Sequence, residues 1–172
     1  EQVFAKFGVR NEWVDFTNSN ALARIEKQRP AMVWLESPTN PLLKVIDLSA
    51  VCSAARSAGV PVVVDNTFAT ALVQRPLELG ATLSLTSTTK YINGHSDALG
   101  GVVCTDEPSW HQKMVFAQKA LGLMPSPFDC WLITRGIKTL PLRLKQQMAN
   151  AAAVADHLAS HPGVLWVRYP GR

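Results

Sequence analysis

The segment Val60-Pro-Val-Val-Val-Asp65 is a continuous apolar run that ends in a carboxylate. A run of this kind is typical of a strand that is buried on both faces of a parallel sheet. The same pattern occurs before it, in Ala31-Met-Val-Trp-Leu-Glu36, and after it, from Thr82 to Ser87. A fourth strand is predicted from Gly101 to Thr105. These four strands are the framework of the predicted fold.

Helices are predicted in the connections between the strands. Asp47 is placed to cap a helix that runs through Ala58. Asn18 or Ser19 is placed to cap an earlier helix that runs to about Gln28. Strands that alternate with helices favour a mostly parallel sheet with helices on both faces. The predicted fold class is therefore α/β.

Further elements are predicted after the last strand and at the two ends of the chain. The predicted helices after the last strand span 108–121, 126–135 and 139–161. The predicted end elements are a helical turn over 1–7 and strands over 13–17 and 164–169.

Pro162-Gly163 ends the last predicted helix. We therefore predict a large domain over 1–161 and the start of a second domain over 162–172. The chain begins inside a predicted helix and stops after a predicted strand, which suggests a piece of a longer protein.

Composition limits the classes of protein that the sequence can encode. Of the 172 residues, 47% are apolar and only 17% are charged, against about 25% charged residues in average proteins. A chain this apolar is not disordered, because it has ample surface to bury, and part of its surface is expected to meet other protein. Its net charge of +4 comes from scattered basic residues, so nucleic-acid binding is not predicted.

Cysteine usage and hydropathy predict the compartment. The three cysteines, Cys52, Cys104 and Cys130, are far apart and odd in number, which favours neither a disulfide framework nor a zinc ribbon. No apolar run approaches the ~20 residues that span a bilayer. A reducing, cytoplasmic setting without membrane contact is therefore predicted. Cys104, which lies on a predicted apolar strand, is expected to be a buried small hydrophobe.

Polar side chains cluster at or just beyond the predicted strand ends. They are Asn40, Asp65, Ser87, Thr89 and Lys90. In parallel sheets, ligands bind outside the carboxyl ends of the strands. We therefore expect these five side chains to converge on one rim of the sheet.

Each of these groups has a functional and a structural interpretation. A carboxylate at a buried strand end needs a partner, so Asp65 meets a protonated heterocyclic nitrogen, caps a helix or pairs with Arg75. Lys90 is either an ordinary surface lysine or, in an apolar neighbourhood that strips water from its ammonium, a nucleophilic amine. The hydroxyls of Ser87 and Thr89 are suited to a phosphate. Taken together, these groups are those that hold pyridoxal phosphate.

Longer motifs carry a family resemblance. They are Glu36-Ser-Pro-Thr-Asn-Pro41, Val64-Asp-Asn-Thr-Phe68, Gln74-Arg-Pro-Leu77, Ser87-Thr-Thr-Lys-Tyr-Ile-Asn-Gly-His-Ser-Asp97, Pro125-Ser-Pro-Phe-Asp-Cys-Trp-Leu132 and Arg135-Gly-Ile-Lys-Thr-Leu140. In this order, and over nearly the whole chain, the sequence resembles the Cys/Met-metabolism family of pyridoxal-phosphate enzymes. The resemblance implies an aspartate-aminotransferase-like (fold type I) large domain that is incomplete at both ends.

The resemblance also implies an activity. It points to trans-sulfuration in sulfur amino-acid metabolism, with γ-elimination or γ-replacement on cystathionine or an O-acylhomoserine through a Schiff base on Lys90. Methionine γ-lyase and O-acylhomoserine sulfhydrylase activities are the alternatives within the family. An alternative of another class is a non-catalytic module that binds the cofactor or serves assembly.

Site roles follow from the same resemblance. Lys90 is implied to form the Schiff base with pyridoxal phosphate and to shuttle protons, and Asp65 to keep the ring nitrogen protonated. The other implied cofactor contacts are Ser87 and Thr89 to the phosphate, Asn40 to the 3′-oxygen, and Thr67 behind the ring. No metal is predicted, because His95 and Asp97 are a pair of possible ligands without a third nearby; we expect them to orient the loop after Lys90.

The resemblance implies partners as well. It implies a small amino-acid substrate and a homotetramer, built from dimers whose active sites lie at subunit interfaces. The family's phosphate loop and ring-stacking tyrosine precede the start of this chain, and its substrate-carboxylate arginine lies beyond Arg172. The 172 residues alone are therefore expected to be inactive.

Overall fold

A single mixed sheet forms the centre of the molecule. The computed structural model describes residues 3–18 and 20–171. Within these ranges the sheet has strands β1 (Val33–Glu36), β2 (Val62–Asp65), β3 (Leu83–Ser87) and β4 (Gly101–Cys104), in that order. The first three strands are parallel and β4 is antiparallel to β3. The prediction of a mostly parallel sheet is confirmed.

Helices connect and flank the strands. Their bounds are α1 (Asn20–Gln28), α2 (Leu48–Ala58), α3 (Thr70–Val73), α4 (Pro108–Leu121), α5 (Pro127–Ile137) and α6 (Leu140–Ser160), with a 3₁₀ turn at Phe4–Phe7 and a π-helical turn at Thr88–Ile92. The Asp47 cap is present, since its carboxylate accepts the N–H of Ala50 at 3.0 Å. Gly59 closes α2 in the left-handed conformation, with φ of 71°. The short α3 and the π-helical turn were not predicted.

The main core lies between one face of the sheet and the first two long helices. Val33, Leu35, Val62 and Val64 project from β1 and β2 toward α1 and α2. Because side chains alternate along a strand, the intervening residues face the other side. There Trp34 is 59% exposed, so the prediction of burial on both faces is wrong for β1, which lies at the edge of the described sheet.

The strand register brings the carboxyl ends together. Glu36 of β1 lies opposite Asp65 of β2, and Asp65 lies opposite Leu85 of β3. β3 continues to Ser87, which pairs with Gly101 at the start of β4. The chain segments that leave these strand ends therefore start from one edge of the sheet.

Two predicted strands are wrong. At 13–17 the backbone forms a turn in which the Asp15 carboxylate accepts the N–H and the hydroxyl of Thr17 at 3.1 and 2.7 Å. At 164–169 the chain is irregular after a turn in which the Val164 N–H bonds to the His161 carbonyl. Apolar alternation alone does not make a strand, which needs a neighbouring strand to pair with.

Other end predictions have mixed outcomes. Residues 4–7 form a helical turn closed by Gly8, as predicted. Glu1, Gln2, Arg172 and the alternative cap Ser19 lie outside the described residues. Asn18 accepts the N–H of Asn20 through its side chain at 3.0 Å, so it supports the start of α1.

The prediction that Cys104 is buried is also wrong. Its thiol is exposed, as is every residue of β4. β4 is the outer strand on its side of the described sheet, so its apolar side chains have no layer over them within the described residues.

Candidate active site

A large cavity lies at the carboxyl ends of β1, β2 and β3. Its volume is about 1070 Å³. All six residues with a predicted role line it: Asn40, Asp65, Thr67, Ser87, Thr89 and Lys90. The convergence expected from the strand pattern is therefore present.

Hydrogen bonds to the residue Thr67 hold the end of β2 in place. The Asp65 carboxylate accepts the backbone N–H of Thr67 at 3.0 Å. The Thr67 hydroxyl in turn accepts the backbone N–H of Ser87 at 2.8 Å, which ties the end of β2 to the end of β3. Asp65 does not take the structural alternatives: Arg75 pairs with Glu78 at 3.1 Å, and α3 begins without a side-chain cap. One carboxylate oxygen of Asp65 is thus fixed toward the backbone, and the residue faces the cavity.

A buried amide network lies beneath this strand end. Asn66 is 1% exposed, and its side chain donates to the Gln74 carbonyl at 2.8 Å. The Gln74 amide donates to Asn66 Oδ1 and to the Ser37 carbonyl, both at 2.8 Å. The Ser37 hydroxyl accepts the N–H of Ile46 at 3.0 Å. The network joins the end of β2 to the loop that follows β1.

That loop presents Asn40 to the cavity. The Glu36 carboxylate accepts the backbone N–H of Asn40 at 2.8 Å. Across the loop, the Thr39 N–H donates to the Lys44 carbonyl at 2.9 Å, and the Thr39 hydroxyl accepts the Lys44 N–H at 3.0 Å. Asn40 takes part through its backbone N–H, and it lines the cavity.

The segment after β3 carries the hydroxyls and the lysine. Thr88–Ile92 forms the π-helical turn, which Lys90 interrupts with φ of −88° and ψ of −118°. The Thr89 hydroxyl accepts the Gly100 N–H at 3.0 Å and contacts the Gly100 carbonyl at a longer 3.3 Å. Lys90 is exposed, so of the two interpretations of this lysine the described residues agree with a surface lysine and do not form an apolar neighbourhood around it. The cause is the open mouth of the cavity, into which the chain turns at the end of the strand.

The cavity is rich in carboxylates. Glu36, Asp65, Asp97 and Asp129 line it, and Lys90 is the basic residue among its lining side chains. Asp97 accepts the side-chain N–H of Asn93 at 2.8 Å, and Asp129 accepts the Ser126 hydroxyl at 2.8 Å. The local pattern did not identify Asp129 or Gln147, which reach the cavity from α5 and α6. Only the quoted Pro125–Leu132 motif pointed near Asp129.

The loop role predicted for His95 and Asp97 agrees with the contacts. The His95 ring contacts the Asn93 carbonyl at 2.6 Å, and Asp97 holds the Asn93 side chain. Among the described residues, no three His, Cys, Asp or Glu side chains lie close enough to hold a metal ion. Over the same ranges, none of the helices combines the length and apolar character needed to cross a membrane.

Comparison with known proteins gives consistent matches. A family model described as Cys/Met metabolism PLP-dependent enzyme matches residues 1–172. A probable cystathionine gamma-synthase from Herpetosiphon aurantiacus is 44% identical over 171 residues, which are 99% of this chain and 54% of that protein. The chain therefore spans about half the length of the relatives it matches.

Solved structures match just as closely. An apo methionine gamma lyase from Micromonospora echinospora superposes with a TM-score of 0.96 at 41% identity, covering 99% of this chain and 47% of that one. A cystathionine gamma synthase from Xanthomonas oryzae pv. oryzae, in complex with cystathionine, gives 0.95 at 45% identity, covering 99% and 44%. The chain has the fold of the corresponding part of these enzymes.

Proposed function

Because the chain belongs to the Cys/Met-metabolism family of pyridoxal-phosphate-dependent enzymes, we propose that its protein catalyses γ-elimination or γ-replacement on cystathionine or an O-acylhomoserine. The membership confirms the predicted aspartate-aminotransferase-like (fold type I) large domain. One observation carries the proposal: six polar residues from three strand ends line one cavity. The described chain supplies the lysine-bearing part of the proposed site.

The residues in the cavity fit pyridoxal phosphate by their chemistry. They offer an amine at Lys90, a carboxylate at Asp65, hydroxyls at Ser87 and Thr89, and an amide at Asn40. An aldehyde, a ring nitrogen, a phosphate and a phenolic oxygen need these groups. A cavity of about 1070 Å³ also has room for an amino-acid substrate beside the cofactor.

Each of these residues then has a proposed task. Lys90 would hold the aldehyde carbon and Asp65 the ring nitrogen. The remaining contacts are Ser87 and Thr89 to the phosphate, Asn40 to the 3′-oxygen and Thr67 behind the ring. When bound, pyridoxal phosphate supplies an aldehyde for exchange with amines and a protonated ring that withdraws electrons from the substrate α-carbon.

Lys90 is also the group that we assign to move protons. Its amine would take the proton at the substrate α-carbon, and for γ-chemistry the proton at the β-carbon. A flexible amine that is tethered beside both carbons serves both transfers, and proximity supplies much of the rate. Asp65, whose carboxylate is oriented by the Thr67 N–H, would keep a positive charge on the ring nitrogen.

The proposal includes an assembly and a domain organisation. We propose a homotetramer built from dimers, in which the large domain covers 1–161 and a second domain starts at 162. Large apolar side chains are exposed on and near β4, α4 and α5, including Val102, Phe116, Leu121, Phe128 and Trp131. Exposed apolar area of this extent supports further protein contact. The three free thiols support a reducing, cytoplasmic setting.

The experiment uses the complete protein in which this sequence occurs, with added pyridoxal phosphate. The visible absorbance of lysine-bound cofactor should form in the wild type and be absent from Lys90→Ala. The wild type is then given cystathionine, methionine, or an O-acylhomoserine with cysteine or sulfide. Elimination is measured by the thiols and 2-oxo acids released, and replacement by the new thioether or thiol amino acid formed. Light scattering of the same sample should give the mass of a tetramer.

The alternatives give different results in that experiment. Activity on methionine above that on cystathionine would favour a methionine γ-lyase, like the Micromonospora echinospora protein that superposes on this chain. Use of sulfide with an O-acylhomoserine would favour a sulfhydrylase. A Lys90-dependent absorbance without turnover of any substrate would favour the non-catalytic module. Absence of that absorbance would contradict the proposal.

A further inference from the structure

The backbone directly after Lys90 ends in carbonyl groups that need partners. In the turn, Asn93 donates to the Thr88 carbonyl at 2.9 Å and Gly94 donates to the Lys90 carbonyl at 2.8 Å. Gly94 then takes φ of 72° and the helical path stops. The next carbonyls, those of Tyr91 and Ile92, are in the position of the unpaired carbonyls at any helix C-terminus.

Arg143 supplies the donors for both carbonyls from a distant part of the chain. Its Nη1 donates to the Tyr91 carbonyl at 2.8 Å, and its Nη2 donates to the Ile92 carbonyl at 3.2 Å. Both bonds are charge-assisted, which makes them stronger than bonds between neutral groups. The guanidinium therefore takes the place of the helical turn that Gly94 ends.

The other donors of Arg143 anchor the guanidinium. Its Nε donates to the Thr139 hydroxyl at 3.0 Å, and Nη2 also donates to the Gly136 carbonyl at 2.9 Å. Both acceptors lie where α5 ends and α6 begins. Four bonds in a planar fork thus hold the turn from Lys90 to Gly94, here called the lysine segment, against the junction of α5 and α6. A lysine ammonium cannot reproduce this arrangement.

Two glycines make room for this contact. A Cβ atom at Gly94 would collide with the Arg143 guanidinium, and one at Gly136 would collide with the Asn93 carbonyl. Asn93 is 1% exposed and Gly136 is buried, so neither has space to shift. The close approach of the lysine segment to α5 and α6 is therefore built into the sequence at both sides of the contact.

We propose that Arg143 is a positioning residue for Lys90. By pairing the Tyr91 and Ile92 carbonyls, it fixes the backbone that determines where the Lys90 amine lies relative to Asp65 and the phosphate-binding hydroxyls. The inference rests on the proposed function of Lys90 as the cofactor-binding lysine. It assigns to a residue 53 positions away, outside the cavity lining, control over how fast that lysine reacts.

The test measures lysine reactivity apart from turnover. The complete protein is freed of cofactor, and the rate at which the visible absorbance of Lys90-bound pyridoxal phosphate forms is recorded well below the melting temperature. We expect Arg143→Met and Arg143→Lys to slow this rate by about tenfold to a hundredfold, because a shift near 1 Å of a reacting group costs that much. Lys145→Met, an exposed substitution two residues further along α6, should leave the rate unchanged.

A second pair of variants reaches the same contact without removing the arginine. Gly94→Ala introduces the collision with Arg143, whereas Gly59→Ala has the same backbone strain, with φ of 71°, and open space around the new Cβ. Only Gly94→Ala should slow the reaction of Lys90. This pair of variants also tests the proposal if the Arg143→Met variant does not fold.

The outcomes separate the two proposals. If the wild type forms no Lys90-dependent absorbance, the proposed function fails and the role of Arg143 fails with it. If the wild type reacts and the Arg143 and Gly94 variants only melt earlier, with unchanged rates for the folded protein, then Arg143 is merely structural and this inference is overturned. Slower reaction in both kinds of variant, with normal rates in both controls, is the result we expect.

Discussion

Two strand ends bring Asp65 and Lys90 of the proposed site to the cavity, and the two ends are held in different ways. Asp65, at the end of β2, is oriented by Thr67, two residues later in the chain. Lys90, just after β3, is followed by carbonyls that are held by Arg143 at the start of α6. The Asp65 carboxylate is positioned by the loop that directly follows it. The lysine segment, in contrast, is positioned by contacts with α5 and α6, which come much later in the sequence.

The difference teaches which mutations should uncouple binding from folding. A locally closed strand end keeps its geometry when one polar group is exchanged for another of the same shape. A segment held by remote contacts is lost when those contacts are disturbed, even where the cavity itself is untouched. We therefore expect substitutions in different regions to differ in which property they change, activity or stability, as well as in the size of the effect. The regions are the β2 end, the helix junction, the buried network and the surface.

The largest effect is expected from Asp65→Asn. Asparagine keeps an oxygen to accept the Thr67 N–H, so the local structure should persist, but the negative charge that we propose faces the ring nitrogen is lost. We expect kcat to fall by about a hundredfold, as for other losses of a preorganised electrostatic partner, with little change in melting temperature. The measurement pairs steady-state kinetics with thermal unfolding of the complete protein. A large drop in melting temperature would show that the β2 end is not locally supported.

Gly136→Ala, in contrast, should mainly lower the free energy of unfolding. The added methyl collides with the Asn93 carbonyl, and overpacking against backbone costs up to about 3 kcal/mol. The control is Gly101→Ala, where the new Cβ meets its nearest atom, the Thr86 carbonyl oxygen, at 3.7 Å. Denaturant unfolding of both variants measures the difference. Equal stability of the two would mean that the helix junction yields easily and does not brace the lysine segment.

Gln74→Leu tests the buried network that joins the end of β2 to the loop carrying Asn40. It removes the donors to Asn66 Oδ1 and to the Ser37 carbonyl. Leaving buried acceptors unpaired costs about 2 kcal/mol. Gln112→Leu, on the exposed surface of α4, is the matched control and should have little effect on the free energy of unfolding. A loss no larger than that of the control would contradict the assigned role of the network.

The smallest effect is expected at Asp15, on the surface. The hydrogen bond from Lys44, with those from Thr17, lowers the pKa of the Asp15 carboxyl from 3.8 to about 2. A lowered folded-state pKa contributes stability above the unfolded pKa and loses it as the pH falls through the folded pKa. Asp15→Asn should therefore lower the melting temperature slightly at pH 7, and the gap from wild type should shrink between about pH 4 and pH 2. The gap at pH 7 should also shrink in high salt, because the pair is exposed; a gap independent of pH and salt would contradict this.

The parts of the fold that could be predicted are those with local causes. The apolar run before Asp65 gives β2, and Asp47 with Gly59 gives the limits of α2. The strands predicted at 13–17 and 164–169 failed because pairing is not a property of one segment. Burial of Trp34 and Cys104 was wrong because burial depends on what covers a strand, which its own residues do not encode.

The residues of the site also differ in whether their position has a local cause. Five residues could be placed at one rim of the sheet, because parallel strands bring their carboxyl ends to one edge; they are Asn40, Asp65, Ser87, Thr89 and Lys90. Thr67 was added by the family resemblance. Asp129, Gln147 and Arg143 could not be placed in this way, because each comes from a helix whose packing is known only after the chain has folded.

Two hydroxyl groups of the cavity affect which ligands the cavity can bind. The oxygens of Thr67 and Thr89 each already accept a backbone N–H, from Ser87 and Gly100 respectively. A hydroxyl oxygen that accepts one hydrogen bond keeps its own proton to give, so each hydroxyl can donate to a ligand oxygen. Thr89 need only release its long contact to the Gly100 carbonyl to do so. The backbone thus leaves two hydroxyl protons for a ligand on this wall of the cavity, a neutral way to meet anionic oxygens among carboxylates.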